Sequence, residues 1–353
     1  MSLPALAATA RSIVANGKGL LAMDESTATC NLRFARIGIP QSLAMRQAYR
    51  ELLVTAPRLA EYINGVILVD ETIRQAQSNG TALVETARRA GILIGIKVDM
   101  GAKDLAAHPG EKVTEGLDGL RHRLQAYHDL GARFAKWRGV ISVDKARLPS
   151  AACVEVNAHA LARYAVLSQE AGLVPIIEPE VLMDGDHTLA RCQQVTEVVL
   201  RCVFKELALQ GVVLEAIILK PNMVLAGVAC KVQHTAEQVA GATLECLRRA
   251  VPPAVPGIAF LSGGQSGELA TARLNAMHVR PYAAEPAADK ASESRCLPWT
   301  LSFSFARALQ HPAMEIWAGK DANRGAAQAA LTHRARCNFA ALKGEYGAAM
   351  EAP

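Results

Sequence analysis

The chain has 353 residues, 51% hydrophobic and 20% charged, which suits one large domain or two ordinary ones and is too apolar for a disordered polymer. Aromatic residues are only 5% and the formal net charge is +5, which speaks against a base-stacking surface or a broad nucleic-acid footprint and allows a cleft for a small anion. No uncharged apolar run is long enough to cross a membrane, and the first residues lack the features of a signal peptide.

Eight β-prone runs follow one another along the chain. They are Gly19–Asp24, Gly65–Asp70, Ile92–Lys97, Phe134–Arg138, Val174–Glu178, Ala216–Lys220, Gly257–Ser262 and Leu301–Ser304. Most are continuously apolar, the pattern of parallel strands buried on both faces. Between them lie helical segments: 150–171, a run after Gly185-Asp186 with Leu189, Cys192, Val195, Val199 and Cys202 on one face and an acidic cap, then 235–249 and 322–342. Alternating strand and helix predicts an α/β class with a parallel sheet.

The polar residues that end five of these runs, Lys136, Glu178, Lys220, Ser262 and Ser304, recur at intervals of 42, with Lys97 39 residues before the first. Propeller blades would need four strands per repeat, and helix-pair solenoids have no place for the apolar runs. A βα unit repeated eight times remains, which predicts a single (β/α)8 TIM barrel over residues 1–353, with a flexible tail from about 344. In such a barrel Asp24, Asp70, Lys97, Lys136, Arg138, Glu178, Glu180, Lys220, Ser262 and Ser304 reach the C-terminal face, where barrel chemistry sits.

Lys220 follows Ala-Ile-Ile-Leu and precedes Pro221, so desolvation and a nearby Lys136 would lower its pKa and make it a nucleophile toward carbonyls. A salt bridge to Glu178 would act the other way, and composition does not choose between them. Glu178 and Glu180 flank Pro179 and are expected to diverge unless that proline ends the strand; with two lysines they could supply proton transfers. Ser262-Gly-Gly-Gln-Ser266 ends the seventh run and opens a helix, a pattern suited to a phosphate, with Arg307 close by. Asp24-Glu-Ser-Thr-Ala-Thr29 is equally a plain helix cap. The eight cysteines show neither Cys-x-x-Cys nor a Cys/His zinc spacing, and the nine histidines show no paired ligand spacing, so reduced thiols, a cytoplasmic location and a metal-free site are expected.

Runs in order along roughly residues 12–346 resemble the class I fructose-1,6-bisphosphate aldolases, above all their plant and bacterial branch. They include Gly-Lys-Gly-Leu-Leu-Ala-Met-Asp-Glu-Ser (17–26), Phe-Ala-Lys-Trp-Arg (134–138), Val-Pro-Ile-Ile-Glu-Pro-Glu (174–180), Leu-Lys-Pro-Asn-Met-Val (219–224) and Phe-Leu-Ser-Gly-Gly-Gln-Ser (260–266). The resemblance implies reversible cleavage of fructose 1,6-bisphosphate to dihydroxyacetone phosphate and glyceraldehyde 3-phosphate. It implies a covalent Schiff base on Lys220, no cofactor and no metal, Glu178 as acid/base, Lys136 and Glu180 as its charged surroundings, and Asp24 as acceptor of the C4 hydroxyl proton. One phosphate would meet Ser262, Gly263 and Arg307, with Ser304 nearby, and the other Ser26, Thr29 and Lys97, with Arg138 nearby. It also implies a homotetramer with a phosphorylated sugar as its partner, and neither nucleic acid nor membrane. A lyase for sedoheptulose bisphosphate or fructose 1-phosphate and a non-catalytic barrel scaffold are the alternatives. The chain departs from the family in having Asn31-Leu32-Arg33 where a Lys-Arg pair is usual, Met100 for lysine, Trp317-Ala-Gly for Trp-Gly-Gly, and no C-terminal tyrosine. Residues 280–297 form a longer connection, expected on the face away from the chemistry.

Overall fold

Each of the eight apolar runs forms a strand in the computed structural model, which describes residues 2–144, 146–279 and 297–351. The strands are β1 (Gly19–Ala22), β2 (Ile63–Leu68), β3 (Leu93–Lys97), β4 (Ala102–Asp104), β5 (Lys112–Thr114), β6 (Phe134–Ile141), β7 (Val174–Val181), β8 (Ile218–Leu219), β9 (Gly257–Phe260) and β10 (Thr300–Phe305). Eight of them close a parallel barrel in the order β1-β10-β9-β8-β7-β6-β3-β2, while β4 and β5 pair as an antiparallel hairpin at its mouth. The sequence reading did not include that hairpin, whose three-residue strands are too short for a periodic signal.

The helices are α1 (Leu3–Ile13), α2 (Thr27–Arg36), α3 (Leu43–Val54), α4 (Asp70–Ile73), α5 (Leu83–Arg89), α6 (Leu120–Asp129), α7 (Ala151–Glu170), α8 (Leu189–Leu209), α9 (Ala236–Ala250), α10 (Gly267–Ala276), α11 (Arg307–Trp317) and α12 (Arg324–Ala341). Their starts are written in the sequence. Ser150, Ser266 and Thr235 cap α7, α10 and α9, the last in a reciprocal capping box with Gln238. The acidic cap expected for α8 is not the one used: Thr188 accepts from the Arg191 N–H instead.

Two apolar cores result. Inside the barrel, Leu20, Ala22, Ile67, Phe134, Val174, Ile176, Ile218 and Ala259 pack together, and Leu6, Ala10 and Ile13 of α1 close the end at which the strands begin. The Phe134 ring leaves no room on its neighbour β3, since a Cβ on Gly95 would lie 2.0 Å from it. A second and larger core fills the space between strands and helices. The barrel is thus solid at one end, and its other end is free for chemistry.

Ala318, one of the family departures, closes α11 in the left-handed region, with φ 45° and its N–H donating to Met314 O. A side chain there costs roughly 1–2 kcal/mol against glycine. Ala318→Gly is therefore expected to stabilise the fold by about 1 kcal/mol, seen as a higher urea midpoint with unchanged slope.

The tail expected to be flexible from about 344 is placed against the barrel as far as Glu351, whose carboxylate meets Arg334 and the Tyr346 hydroxyl. The connection expected at 280–297 lies outside the described residues except for Leu297.

Candidate active site

At the open end the strand ends surround a cavity of about 770 Å³. Asp24, Ser26, Thr29, Lys97, Lys136, Arg138, Glu178, Glu180, Lys220, Ser262, Gly263, Ser304 and Arg307 all line it. Asp70, the other polar strand end, does not: it starts α4 on the surface and pairs with Arg74.

Alternation along the strands brings the charges together. Lys136 and Arg138 project from β6 on one face, and Glu178 and Glu180 from β7 likewise, because side chains two apart in a strand share a face. The strand does not end at Pro179 but runs to Val181, and the expectation that the two acids diverge in an unbroken strand is corrected: two residues apart, they share a face and both point into the mouth. Lys220 follows the last residue of β8 and is 3% exposed.

One carboxylate joins the two lysines. Lys220 Nζ lies 3.1 Å from Glu178 Oε1, and Lys136 Nζ lies 3.0 Å from Glu178 Oε2 and 2.7 Å from Asp24 Oδ2. The two sequence alternatives for Lys220, a second cation nearby or a salt bridge to Glu178, are therefore both present. Burial by itself would raise the Asp24 pKa, but Lys136, then Lys220 and Lys97, bring it down to about 2. Burial likewise works against the Glu178 charge, and Lys136, Lys220 and Arg138 outweigh it and lower that pKa. For Lys136 burial favours the neutral amine, but Asp24 and Glu178 prevail and hold it protonated well above the ordinary lysine range.

Two buried polar atoms in this cavity have no hydrogen-bond partner: Glu178 Oε2, which sees Lys136 out of line for a hydrogen bond, and Ser304 Oγ. Buried orphans of this kind are costly and leave bonding capacity that water or a bound ligand can take up.

The cavity has two polar ends. Ser262 and Gly263 follow β9 and Arg307 follows β10; Lys97 and Arg138 lie on β3 and β6, three to four strands away around the eight-membered ring. At the first end Gly263 and Gly264, with φ of +56° and +93°, conformations that favour glycine, both line the cavity. Arg307 opens α11 behind Ala306, which has no side chain to cap the first N–H groups, and among the described residues Arg307 makes no ion pair. An uncapped helix start beside an unpaired guanidinium suits a phosphate dianion. At the other end Lys97 is held by Asp99 at 2.8 Å, and Arg138 meets Glu180. Ser26 accepts from the Thr29 N–H and so does cap α2, with its hydroxyl 3.0 Å from that of Thr29 at the cavity edge.

The family model described as fructose-bisphosphate aldolase class-I matches residues 5–352. The chain belongs to the class I fructose-bisphosphate aldolases. It is similar to the probable fructose-bisphosphate aldolase class 1 of Xanthomonas campestris pv. campestris, with 51% identity over 98% of this chain and 99% of that one. It is 47% identical to the fructose-bisphosphate aldolase of Dictyostelium discoideum, over 97% of this chain and 92% of the relative. Among solved structures it is similar to the fructose-bisphosphate aldolase of Plasmodium falciparum, determined in complex with TRAP and a small-molecule inhibitor, with a TM-score of 0.91 and 43% identity over 97% of this chain and 95% of that one.

Class I aldolases work without a metal, and the site described here is built from lysines and carboxylates. The structure adds residues that the sequence reading passed over. Asp99 pairs with Lys97 and accepts from the backbone N–H of Gly101; its position two after Lys97 on the same face was the available signal. Glu25, beside Asp24, binds both Arg33 and Arg50. Arg33, the basic residue retained where the family has a pair, is thereby turned to Glu25, while Leu32 is exposed.

Proposed function

We propose that this aldolase cleaves fructose 1,6-bisphosphate through a Schiff base on Lys220, with the roles that follow. The amine of Lys220 passes its proton to Glu178 and attacks the C2 carbonyl of the open-chain ketose. Glu178 then returns a proton to the departing hydroxyl, water leaves, and an iminium joins C2 to Nζ. The iminium is the electron sink, so no metal is required. Asp24, kept ionised by Lys136, accepts the C4 hydroxyl proton as the C3–C4 bond breaks and glyceraldehyde 3-phosphate departs. The remaining enamine takes a proton at C3, and water reverses the first steps to release dihydroxyacetone phosphate. The observation that carries this reading is the shared carboxylate: Glu178 lies 3.1 Å from Lys220 and 3.0 Å from Lys136, with Asp24 2.7 Å further along the chain of charges.

Ser262, Gly263, Ser304 and Arg307 are assigned to one phosphate and Ser26, Thr29, Lys97 and Arg138 to the other. Arg307→Met is expected to raise KM about 10- to 100-fold, the loss of one charge-assisted contact worth about 1.5–3 kcal/mol, with kcat changed much less. Steady-state assays check this. The function itself is tested by assaying cleavage with and without a chelator and in Lys220→Met. Full activity in chelator and a loss of at least about 10⁴-fold in the variant are expected.

A second reading, preference for a sugar with less charge at its distal end such as fructose 1-phosphate, is favoured by Met100. That largely exposed side chain lines the cavity where the family usually carries lysine. A kcat/KM for fructose 1-phosphate above that for the bisphosphate would select it. We place the protein in the cytoplasm, since all seven described cysteines are free thiols, and take its assembly as the homotetramer implied by the family. Among the described residues no helix is long and apolar enough to cross a membrane.

A further inference from the structure

Outside the barrel, where α12 meets the C-terminal segment, three side chains with metal-ligand chemistry converge. His333 and Cys337 are one helical turn apart and share a face of α12. Beyond the helix the chain turns back through Gly344, at φ +73°, and a short turn over Ala348–Glu351 brings the Glu351 carboxylate to the same place. Patterns of paired histidines or paired cysteines do not contain this mixed His-x-x-x-Cys pair, and its third member is distant in sequence.

The spacing approaches that of three corners of a coordination tetrahedron. His333 Nε2 lies 3.6 Å from Cys337 Sγ and 3.9 Å from Glu351 Oε2, and the three ligand atoms all lie within 4.8 Å of one another. Zinc bonds of about 2.0–2.3 Å at tetrahedral angles separate neighbouring ligand atoms by roughly 3.3–3.7 Å. The side chains need close by only a fraction of an ångström at the measured edges. One nitrogen faces both the sulfur and the carboxylate, which is the arrangement a shared cation requires.

The surroundings hold the carboxylate in position. Arg334 contacts both oxygens of Glu351 from the side of the helix and donates to Thr271 Oγ1, and the Tyr346 hydroxyl donates to Glu351 Oε1 at 2.6 Å. Such outer contacts orient ligands at metal sites. Arg336 is exposed and lies 3.4 Å from His333 Nδ1. It can turn to water when that nitrogen carries the proton that ligation through Nε2 demands. Arg334 already offsets the Glu351 charge, so the Cys337 thiolate is the anion that answers the ion itself, and sulfur with imidazole selects a zinc-like cation over calcium or magnesium.

We propose that His333, Cys337 and Glu351 form a site for one zinc-class divalent cation that fastens residues 345–351 to α12. Three protein ligands leave a fourth position for water. On binding, the Cys337 thiol releases its proton to solvent, with no change of oxidation state. The site is separate from the cleavage chemistry, which needs no metal.

The test uses the full-length protein, freed of metal by chelation and titrated with Co²⁺ as a spectroscopic stand-in for zinc. One equivalent per chain is expected to give a thiolate-to-cobalt absorption with tetrahedral visible bands, displaced by one equivalent of Zn²⁺. Cys337→Ser should abolish the sulfur band, and His333→Ala and Glu351→Gln should each weaken binding at least about tenfold, while Cys230→Ser keeps it. Because Cys337 is buried, Glu351→Gln provides the readout that leaves the helix core untouched. No saturable binding to the unaltered chain, a sulfur band that survives Cys337→Ser, or full affinity in Glu351→Gln would overturn the proposal.

Discussion

Lys136→Met is expected to cost about 3–5 kcal/mol of stability, because it strips the cation from two buried carboxylates at once. Asp24 and Glu178 are 8% and 4% exposed, and Lys136 lies within 3.0 Å of both. The effect carries its own pH signature. In the wild type the Asp24 pKa falls from 3.8 to about 2, despite the opposing effect of burial, because Lys136 heads the cations around it. A depressed carboxylate contributes stability that is fully present above its unfolded value and is lost as pH falls through the folded one. For Asp24 that is about 2 kcal/mol at neutral pH, fading between roughly pH 4 and 2. The stability gap between wild type and variant should therefore be widest at neutral pH and narrow over that window. Urea unfolding at several pH values measures it, and a gap independent of pH would show that Lys136 does not hold Asp24 ionised. Cleavage should fall with it by about 10³-fold or more, since the charged pattern around the reacting carbons is lost.

Glu178→Gln makes a different prediction, since it keeps the shape and removes the proton carrier. Glutamine can still lie between Lys136 and Lys220, but it can neither take the proton from the attacking amine nor return one to the departing hydroxyl. A kcat lower by about 10²–10⁴-fold with little change in KM is expected. Dehydration of the carbinolamine should become the slow step, so that Schiff-base formation and product release slow together in rapid-mixing experiments. A kcat in the wild-type range would mean that another group carries these protons.

How much of this was legible in the sequence depended on the kind of signal. The 42-residue recurrence of Lys136, Glu178, Lys220, Ser262 and Ser304 gave the barrel and its mouth together, because in a repeated βα unit the residue at each strand end must reach the same face. The continuously apolar runs gave the strands for the same reason that parallel sheets are buried on both sides. What escaped were the pairings. Whether Lys220 meets a cation or a carboxylate depends on barrel tilt and side-chain reach, which the order of residues does not contain; both partners are present, joined by Glu178. Asp70 ends its run just as Asp24 does, yet it starts a short surface helix and never enters the cavity. Pro179 offers a possible strand end in the sequence, but each residue of β7 remains in register with β6 through Val181. The family resemblance supplied roles for individual side chains that spacing alone could not.

The central claim is that Lys220 is the nucleophile, and borohydride reduction tests it most directly. The protein is incubated with dihydroxyacetone phosphate, reduced, digested and mapped by mass spectrometry. The expected result is one reduced adduct per chain, on Lys220, with loss of activity in proportion to labelling. An adduct on Lys136, Lys97 or any other lysine, or undiminished cleavage after full labelling of Lys220, would contradict the account.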